Sequence, residues 1–241
     1  MIAVIAAAGN GKRMNSQIPK PLTRLPNGKT FLDHLIEKLD GLVDKIVVVT
    51  NSKIFEHPSF TTDTRCVYRF QEQATGMGDA VFCASDLIAN EQNIVIVWCD
   101  QIGLTRKTLK ESIAIHLNRK SDSHITLPLL TKNSQYIHIE HSMSKISDIL
   151  QAKEGDLVPT PSVNDVGLFI ISSGENMLEK WKNGGRSYSQ GPISNEYNFL
   201  PFLKFLSING WELDTVQAVD NDGIGVNTAS ELAVTNSRSE E

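Results

Sequence analysis

Cysteine is scarce in this chain. Among 241 residues there are three, Cys66, Cys83 and Cys99, an odd number at wide spacings, each set in an apolar run. Such a set builds neither a disulfide framework nor a zinc site, so buried reduced thiols are expected. Long apolar runs are missing as well. The amino-terminal one, Ile2 to Ala8, is too short to span a bilayer and has no cationic segment before it, so neither a membrane span nor a secretory signal is expected there. A cytoplasmic protein with no membrane partner is expected. Nor is there an excess of positive charge: 23 Lys and Arg stand against 28 Asp and Glu, a net charge of −5. A nucleic-acid binder would show a basic face, so no nucleic-acid partner is expected. The length is enough to bury one full core, and 40% hydrophobic with 21% charged residues is the balance of an ordinary globular domain.

What the chain does have is concentrated at its start. Ile2-Ala3-Val4-Ile5-Ala6-Ala7-Ala8 breaks into Gly9 and Gly11 and then into cations, including Arg13 and Lys20. This reads as a buried parallel strand emptying into a loop at its carboxyl end, where open α/β sheets bind ligands. Glycines there let backbone N–H groups approach an anion, and the two cations point to polyphosphate chemistry. A dinucleotide fingerprint needs a third glycine where Met14 stands. A Walker A loop would need Gly at Ala6 and Ser or Thr at Arg13, where magnesium is held.

Further along, strands and helices alternate. Thr30 is the expected N-cap of a helix over Phe31–Leu39, whose Leu32, Leu35, Ile36 and Leu39 share one face. Buried strands are expected at Lys45–Thr50, Cys66–Phe70 and Asn93–Cys99, the last ending at Asp100, with helices over 78–88 and 105–118. From Ser123 the pattern shortens to segments at 125–129, 136–139 and 146–151, read as antiparallel strands covering a substrate. The loop from Gly155 to Asn164 fits an active-site flap or a plain connector. A strand over 165–171, helices over 175–182 and 198–208, a strand over 211–219 and a helix over 228–234 complete the chain, before a polar tail at 236–241. His34 and His57 read as surface residues. So do His138 and His141, which are three apart on an alternating strand with no third metal ligand near them in sequence.

The opening motif, Ala-Ala-Gly-x-Gly-x-Arg-Met followed by Pro-Lys-Pro-Leu, resembles the signature loop of the nucleotidyltransferases that include the sugar-1-phosphate uridylyltransferases. The resemblance implies that Ala7, Ala8, Gly9 and Gly11 bind the nucleotide, that Arg13 holds its β- and γ-phosphates, and that Lys20 stabilises charge near the α-phosphate. A second loop, Gln71 to Ala80, resembles the family's base-recognising segment, with Gln71, Gly76, Gly78 and Ala80 in step. A primary amide matches a donor and an acceptor on a pyrimidine edge, and a glycine backbone can bond the base at close range. Met77 stands where the uridylyltransferases commonly carry Thr. Asp100 resembles the metal-binding Asp that follows the fourth strand, and Gly225-Val226-Asn227 resembles the family's Gly-Val-Asn, so the resemblance implies Mg²⁺ held by Asp100 and Asn227.

In the acetylglucosamine-1-phosphate uridylyltransferases the position matching Asp165 is a sugar-contacting Asn and the one matching Gln151 is a Glu, while Ile137 falls near a sugar-contacting glycine. An acceptor site at Gln151, Asp165 and Glu196 is implied, but with a rebuilt sugar pocket, so acetylglucosamine is not carried over. Glu196, in a matching Glu-Tyr pair, fits either a bond to sugar hydroxyls or a favourable helix start. The family's bifunctional members continue into a hexapeptide-repeat acetyltransferase. No such repeat stands before Glu241, and acetyl transfer is not expected.

The fold implied is α/β and Rossmann-like: a doubly wound, mostly parallel sheet with a small antiparallel substrate-covering part. A single nucleotidyltransferase domain is expected over 1–241, with a nucleotide half (1–122), an acceptor half (123–222) and a metal-binding end (223–241). The expected partners are a nucleoside triphosphate and a phosphorylated small-molecule acceptor. The leading reaction is Mg²⁺-dependent transfer from UTP to a sugar 1-phosphate. A cytidylyltransferase acting on a non-sugar phosphomonoester and a non-catalytic nucleotide-binding module are the alternatives. A glycosyltransferase is disfavoured, because Asp100-Gln101-Ile102 lacks the second carboxylate of an Asp-x-Asp motif.

Overall fold

The computed structural model of the chain describes residues 1–9, 11, 16–226 and 231. β1 (Ile2–Ala6), α1 (Phe31–Leu39) and β2 (Lys45–Thr50) form the first crossover unit, with β1 and β2 in parallel register from Ile2 opposite Lys45 to Ala6 opposite Val49. α1 begins where the capping residues say it should. Thr30 accepts from the Asp33 N–H while the Asp33 carboxylate accepts from the Thr30 N–H, a reciprocal capping box.

After the short α2 (Ser52–Phe55) come β3 (Cys66–Phe70), α3 (Met77–Phe82), α4 (Ser85–Ile88), β4 (Asn93–Trp98) and α5 (Arg106–Asn118). The single helix expected over 78–88 is two, because Ala84, at φ −96° and ψ 17°, leaves the helical region and ends the ladder. The remaining elements are β5 (His124–Lys132), β6 (Ile137–Ser142), β7 (Lys145–Gln151), β8 (Ser162–Asp165), β9 (Leu168–Ser172), α6 (Gly174–Lys180), α7 (Arg186–Tyr188), α8 (Phe199–Ile208) and β10 (Glu212–Gln217).

The main sheet runs β3-β2-β1-β4-β9-β5-β10, with β8 beside β5. Pairings are parallel among β3, β2, β1 and β4 and between β5 and β10, while β9 is antiparallel to both β4 and β5. Because β1 alternates between two buried faces, Ile2, Val4 and Ala6 join one core with α3, α6 and α8. Ala3 and Ile5 join the other with α1 and α5. Both faces are covered, as the unbroken apolar strands require.

Three expectations for the second half need correction. The 125–129 segment is not part of a separate antiparallel layer: it lies inside β5, in the main sheet, and only β6 and β7 form the small antiparallel sheet. The strand expected over 165–171 is broken, because Gly167 turns at φ +68° and the Asp165 carboxylate accepts from the Gly167 N–H at 2.7 Å, dividing β8 from β9. The flap or connector expected from 155 ends early, since Ser162 already pairs with Lys132. The helix expected over 228–234, apart from Glu231, and the tail lie outside the described residues. Among the described residues no helix is long and apolar enough to cross a membrane.

The cysteines are free, with Cys99 buried and Cys66 and Cys83 half-buried. Two of the presumed surface histidines are engaged. His34 Nε2 lies 3.0 Å from the Ile102 carbonyl, and His138 Nδ1 accepts from the Val163 N–H.

Candidate active site

The carboxyl ends of β1 to β4 lie along one sheet edge, and the segments after β1, β3 and β4 line a single cleft of about 760 Å³. β1 supplies Ala8, Gly9 and Gly11 to its lining; Ala7 lies behind, its N–H spent on the Val49 carbonyl at 2.8 Å. Loop and neighbour are tied together, because the Asn51 amide donates to the Ala8 carbonyl at 2.8 Å while its Oδ1 caps α2.

Lys20 is held by a 3₁₀ turn, Lys20–Leu22, anchored through buried Pro21 and Leu22. Gly11 makes room for it, since a Cβ there would stand 2.7 Å from the Lys20 Cβ. The Lys20 ammonium donates to Asp100 Oδ2 at 2.6 Å, with the two side chains 15% and 19% exposed. Asp100 Oδ1 is buried and has no hydrogen-bond partner among the described residues. A buried carboxylate oxygen without a donor is costly unless a cation meets it. Asp100 thus fits a hard divalent cation, for which oxygen is the preferred ligand. Arg13 and Asn227 lie outside the described residues.

The loop expected to read the base follows β3. Gln71 is buried, and its Nε2 donates to the Gly76 carbonyl at 3.0 Å, which leaves Oε1 as an acceptor. Gly76 has φ +122°, and a Cβ there would sit 2.5 Å from the Tyr197 carbonyl oxygen, so only glycine fits. Tyr197 closes the contact by donating to Thr75 O and accepting from Gly78 N, both at 2.8 Å. Met77 opens α3 and lines the cleft beside Gly76.

Gln151, Asp165 and Glu196 line the other end of the same cleft. Burial pushes the Asp165 carboxyl up to about 6, with the Asp100 charge adding to the rise and the Gly167 N–H and Lys132 opposing it. Burial lowers the pKa of Lys132, whose ammonium donates to the Gly223 carbonyl at 2.6 Å. Lys132 was missed from the sequence, though it ends β5, and two antiparallel steps through β9 make β5 run the same way as β4. Its place therefore corresponds to that of Asp100.

Lys153 and Asn198 were missed too. Lys153 donates to Asn198 Oδ1 and lies 3.4 Å from Glu196 Oε2, which joins three elements at the acceptor end. The support beneath them is Glu154. Burial opposes its charge, but the Ser194 hydroxyl, the Ser194 and Ile193 N–H groups and the Asn198 amide outweigh that and hold it down to about 2. Glu196 is thus set by a loop folded on a buried carboxylate, and it faces the cleft before α8 begins.

Comparison with known proteins agrees with this layout. The chain is 26% identical over 234 residues to the bifunctional protein GlmU of Buchnera aphidicola subsp. Schizaphis graminum, and 28% identical over 239 residues to that of Clostridium novyi. These alignments take in 96% of this chain but 49% and 50% of those proteins, so the chain spans about half the length of the curated relatives it matches. A UDP-glucose pyrophosphorylase solved with UDP-glucose has the same fold, with a TM-score of 0.73 at 15% identity over 100% of this chain and 98% of that one. So does an inositol-1-phosphate CTP transferase from T. maritima, with a TM-score of 0.67 at 14% identity over 95% and 90%. The family model of the MobA-like NTP transferase domain matches residues 3–153, more than half of the sequence, and the chain belongs to that family.

Proposed function

We propose that this NTP transferase moves a nucleotidyl group from a pyrimidine nucleoside triphosphate, UTP first, to a sugar 1-phosphate, releasing an NDP-sugar and pyrophosphate. The observation that carries the reading is the Lys20–Asp100 pair, with an Asp100 oxygen that has no partner among the described residues, in one cleft with Gln71 and Gly76. An acceptor phosphate oxygen attacks the α-phosphorus, a P–O bond forms there, and the bond to the β-phosphate breaks with pyrophosphate leaving. Chemistry of this kind needs positioning and charge neutralisation rather than a protein nucleophile. Lys20 stabilises the charge that grows on the α-phosphate oxygens, and Arg13 holds the β- and γ-phosphates. Asp100 and Asn227 hold Mg²⁺, which when bound neutralises phosphate charge. Gln71 Oε1 accepts from a base donor that uracil offers at N3 and cytosine at its exocyclic amine.

At the acceptor end, Lys132, Lys153, Asp165 and Glu196 alternate donors with acceptors, which suits a polyhydroxylated phosphomonoester. A second reading, cytidylyl transfer to a non-sugar phosphate, is favoured by Asp165 and Gln151, which depart from the sugar-contacting pattern, and by the shared fold of the inositol-1-phosphate CTP transferase. One assay tests both. Pyrophosphate release is measured with UTP, CTP, dTTP and ATP against a panel of sugar 1-phosphates and other phosphomonoesters, with and without Mg²⁺. UTP with a sugar 1-phosphate is expected to give the fastest metal-dependent release. Lys20→Ala and Asp100→Ala are each expected to slow it by about 100-fold or more while the variants stay folded. Near-normal rates in both variants, or no release from any pair, would overturn the proposal.

A further inference from the structure

Asp222 is fully buried and takes no part in the roles described so far. Its Oδ1 accepts from the Thr105 N–H at 2.6 Å, and its Oδ2 accepts from the Thr108 hydroxyl at 2.6 Å and from the Val219 N–H at 2.9 Å. A carboxylate is desolvated there at a cost, and helix capping explains only its bond from the Val219 N–H, which starts the 3₁₀ turn Asp220–Gly223. The N-cap of α5 is Thr105, whose side chain already accepts from the Thr108 N–H. What Asp222 does is join two segments more than a hundred residues apart.

Both segments lead to the candidate metal centre. One is the run from Asp100 to Thr105 that follows β4, and the other is the turn from Val219 to Val226 that leads into Asn227. Between the same segments the Gly103 N–H donates to the Ile224 carbonyl at 3.0 Å and the Val226 N–H donates to the Asp100 carbonyl at 3.1 Å. The fit is too close for a side chain, since a Cβ on Gly103 would stand 1.9 Å from the Asn221 carbonyl oxygen. From the far side, the half-buried Lys38 ammonium donates to the Ile102 carbonyl at 2.6 Å.

We propose that Asp222 is a positioning residue for the metal centre: it clasps the two segments so that Asp100 and the chain entering Asn227 stay in one arrangement. The proposal rests on the metal reading of Asp100 given above. A metal ligand is only as well placed as the groups behind it, and removing such outer partners characteristically weakens metal affinity by about 10- to 100-fold. Thr108 offers a mild way to loosen the clasp, because its hydroxyl is the only part of it that Val lacks and Ser keeps.

The experiment uses Mn²⁺ alone as the probe and follows its binding by water-proton relaxation, well below the unfolding temperature of every variant. Asp222→Asn and Thr108→Val are expected to raise the Mn²⁺ Kd by about 10-fold or more, whereas Thr108→Ser stays within about twofold of the parent. A role confined to stability would lower Tm and leave the Kd alone. Should Asp222→Asn fail to fold, Thr108→Val against Thr108→Ser decides the matter. Unchanged Mn²⁺ affinity in the loosened variants, alongside its loss in Asp100→Asn, overturns the clasp and spares the metal reading. Unchanged affinity in Asp100→Asn overturns the metal reading and the clasp together.

Discussion

His116 and His124 lie ring to ring, 5.1 Å apart, both buried, where α5 packs on β5. The Thr126 hydroxyl lies between them, 2.9 Å from His116 Nδ1 and 3.2 Å from His124 Nε2. Ser172 Oγ reaches His116 Nε2 at 3.3 Å, and His124 Nε2 lies 3.2 Å from Asp214 Oδ2. Burial, then the neighbouring His124, lowers His116 to about 4, with Asp214 pulling only weakly the other way. The unfolded chain therefore takes up this proton first as pH falls, and the folded state resists it. The stabilisation is fully present above about 6.5, declines as pH drops toward 4, and amounts to about 3 kcal/mol for this site. Asp165 works in the opposite sense: its folded carboxyl titrates near 6, above its unfolded value, so its contribution fades as pH rises through that range. Urea unfolding of the parent and of His116→Gln between pH 7 and pH 4 separates the two, because only the His116 part disappears in the variant. Equal pH slopes in both proteins would refute the assignment. None of this was legible beforehand, since the histidines that drew notice in the sequence were His34, His57, His138 and His141. The pairing of His116 with His124 exists only once α5 lies on the sheet.

The loop from Gly191 to Asn198, at the end of the cleft read as the acceptor's, closes on itself through the Gly191 N–H to the Glu196 carbonyl and the Asn195 N–H to the Gly191 carbonyl, and it is anchored on the Glu154 carboxylate. A Cβ on Gly191 would stand 2.4 Å from that carboxylate, so the loop wraps it closely. Glu154→Gln keeps the shape but removes the charge and turns one acceptor into a donor, opposite N–H groups that also donate. The loop is then expected to loosen, raising the acceptor KM by about 10-fold while nucleotide affinity stays within about twofold. Steady-state kinetics in each substrate reads the split, and a variant whose two KM values rise together would argue against it. The contrast with the base loop is instructive. Gln71, Gly76 and Gly78 stood out because their order resembles the family's base-recognising segment, in which glycine leaves the backbone bare. Glu154 and Lys153 did not, because a carboxylate after a short strand looks like any solvated residue until Ser194 and Asn198 fold over it.

At the scale of the whole molecule, the parallel sheet of β1 to β4 followed from the sequence because apolar runs with intervening amphipathic helices permit little besides it. In the second half the strand boundaries were harder to read, because β8 and β9 both run antiparallel along β5 and the kink at Gly167 divides them without changing their direction, which no hydrophobic pattern signals. One continuous sheet thus carries both ends of the cleft, and the segments that line them are joined again at Tyr197, whose backbone bonds Thr75 and Gly78. Arg186 strengthens the seam, with its guanidinium 3.5 Å from the centre of the Tyr197 ring and both carboxylate oxygens of Asp79 at 2.8 Å. A nucleotide that orders the base loop must therefore order the segment carrying Glu196, and binding of the two substrates should be coupled. Linkage requires the coupling to be reciprocal: the factor by which nucleotide tightens acceptor binding equals the factor by which acceptor tightens nucleotide binding, about 5-fold or more. Calorimetric titrations with a non-hydrolysable analogue of the active nucleotide and with the active sugar phosphate measure both factors. Gly76→Ala drives a Cβ into the Tyr197 backbone and is expected to bring both factors toward one, whereas an acceptor affinity in the parent that ignores the nucleotide would show that the seam joins the two ends without coupling them.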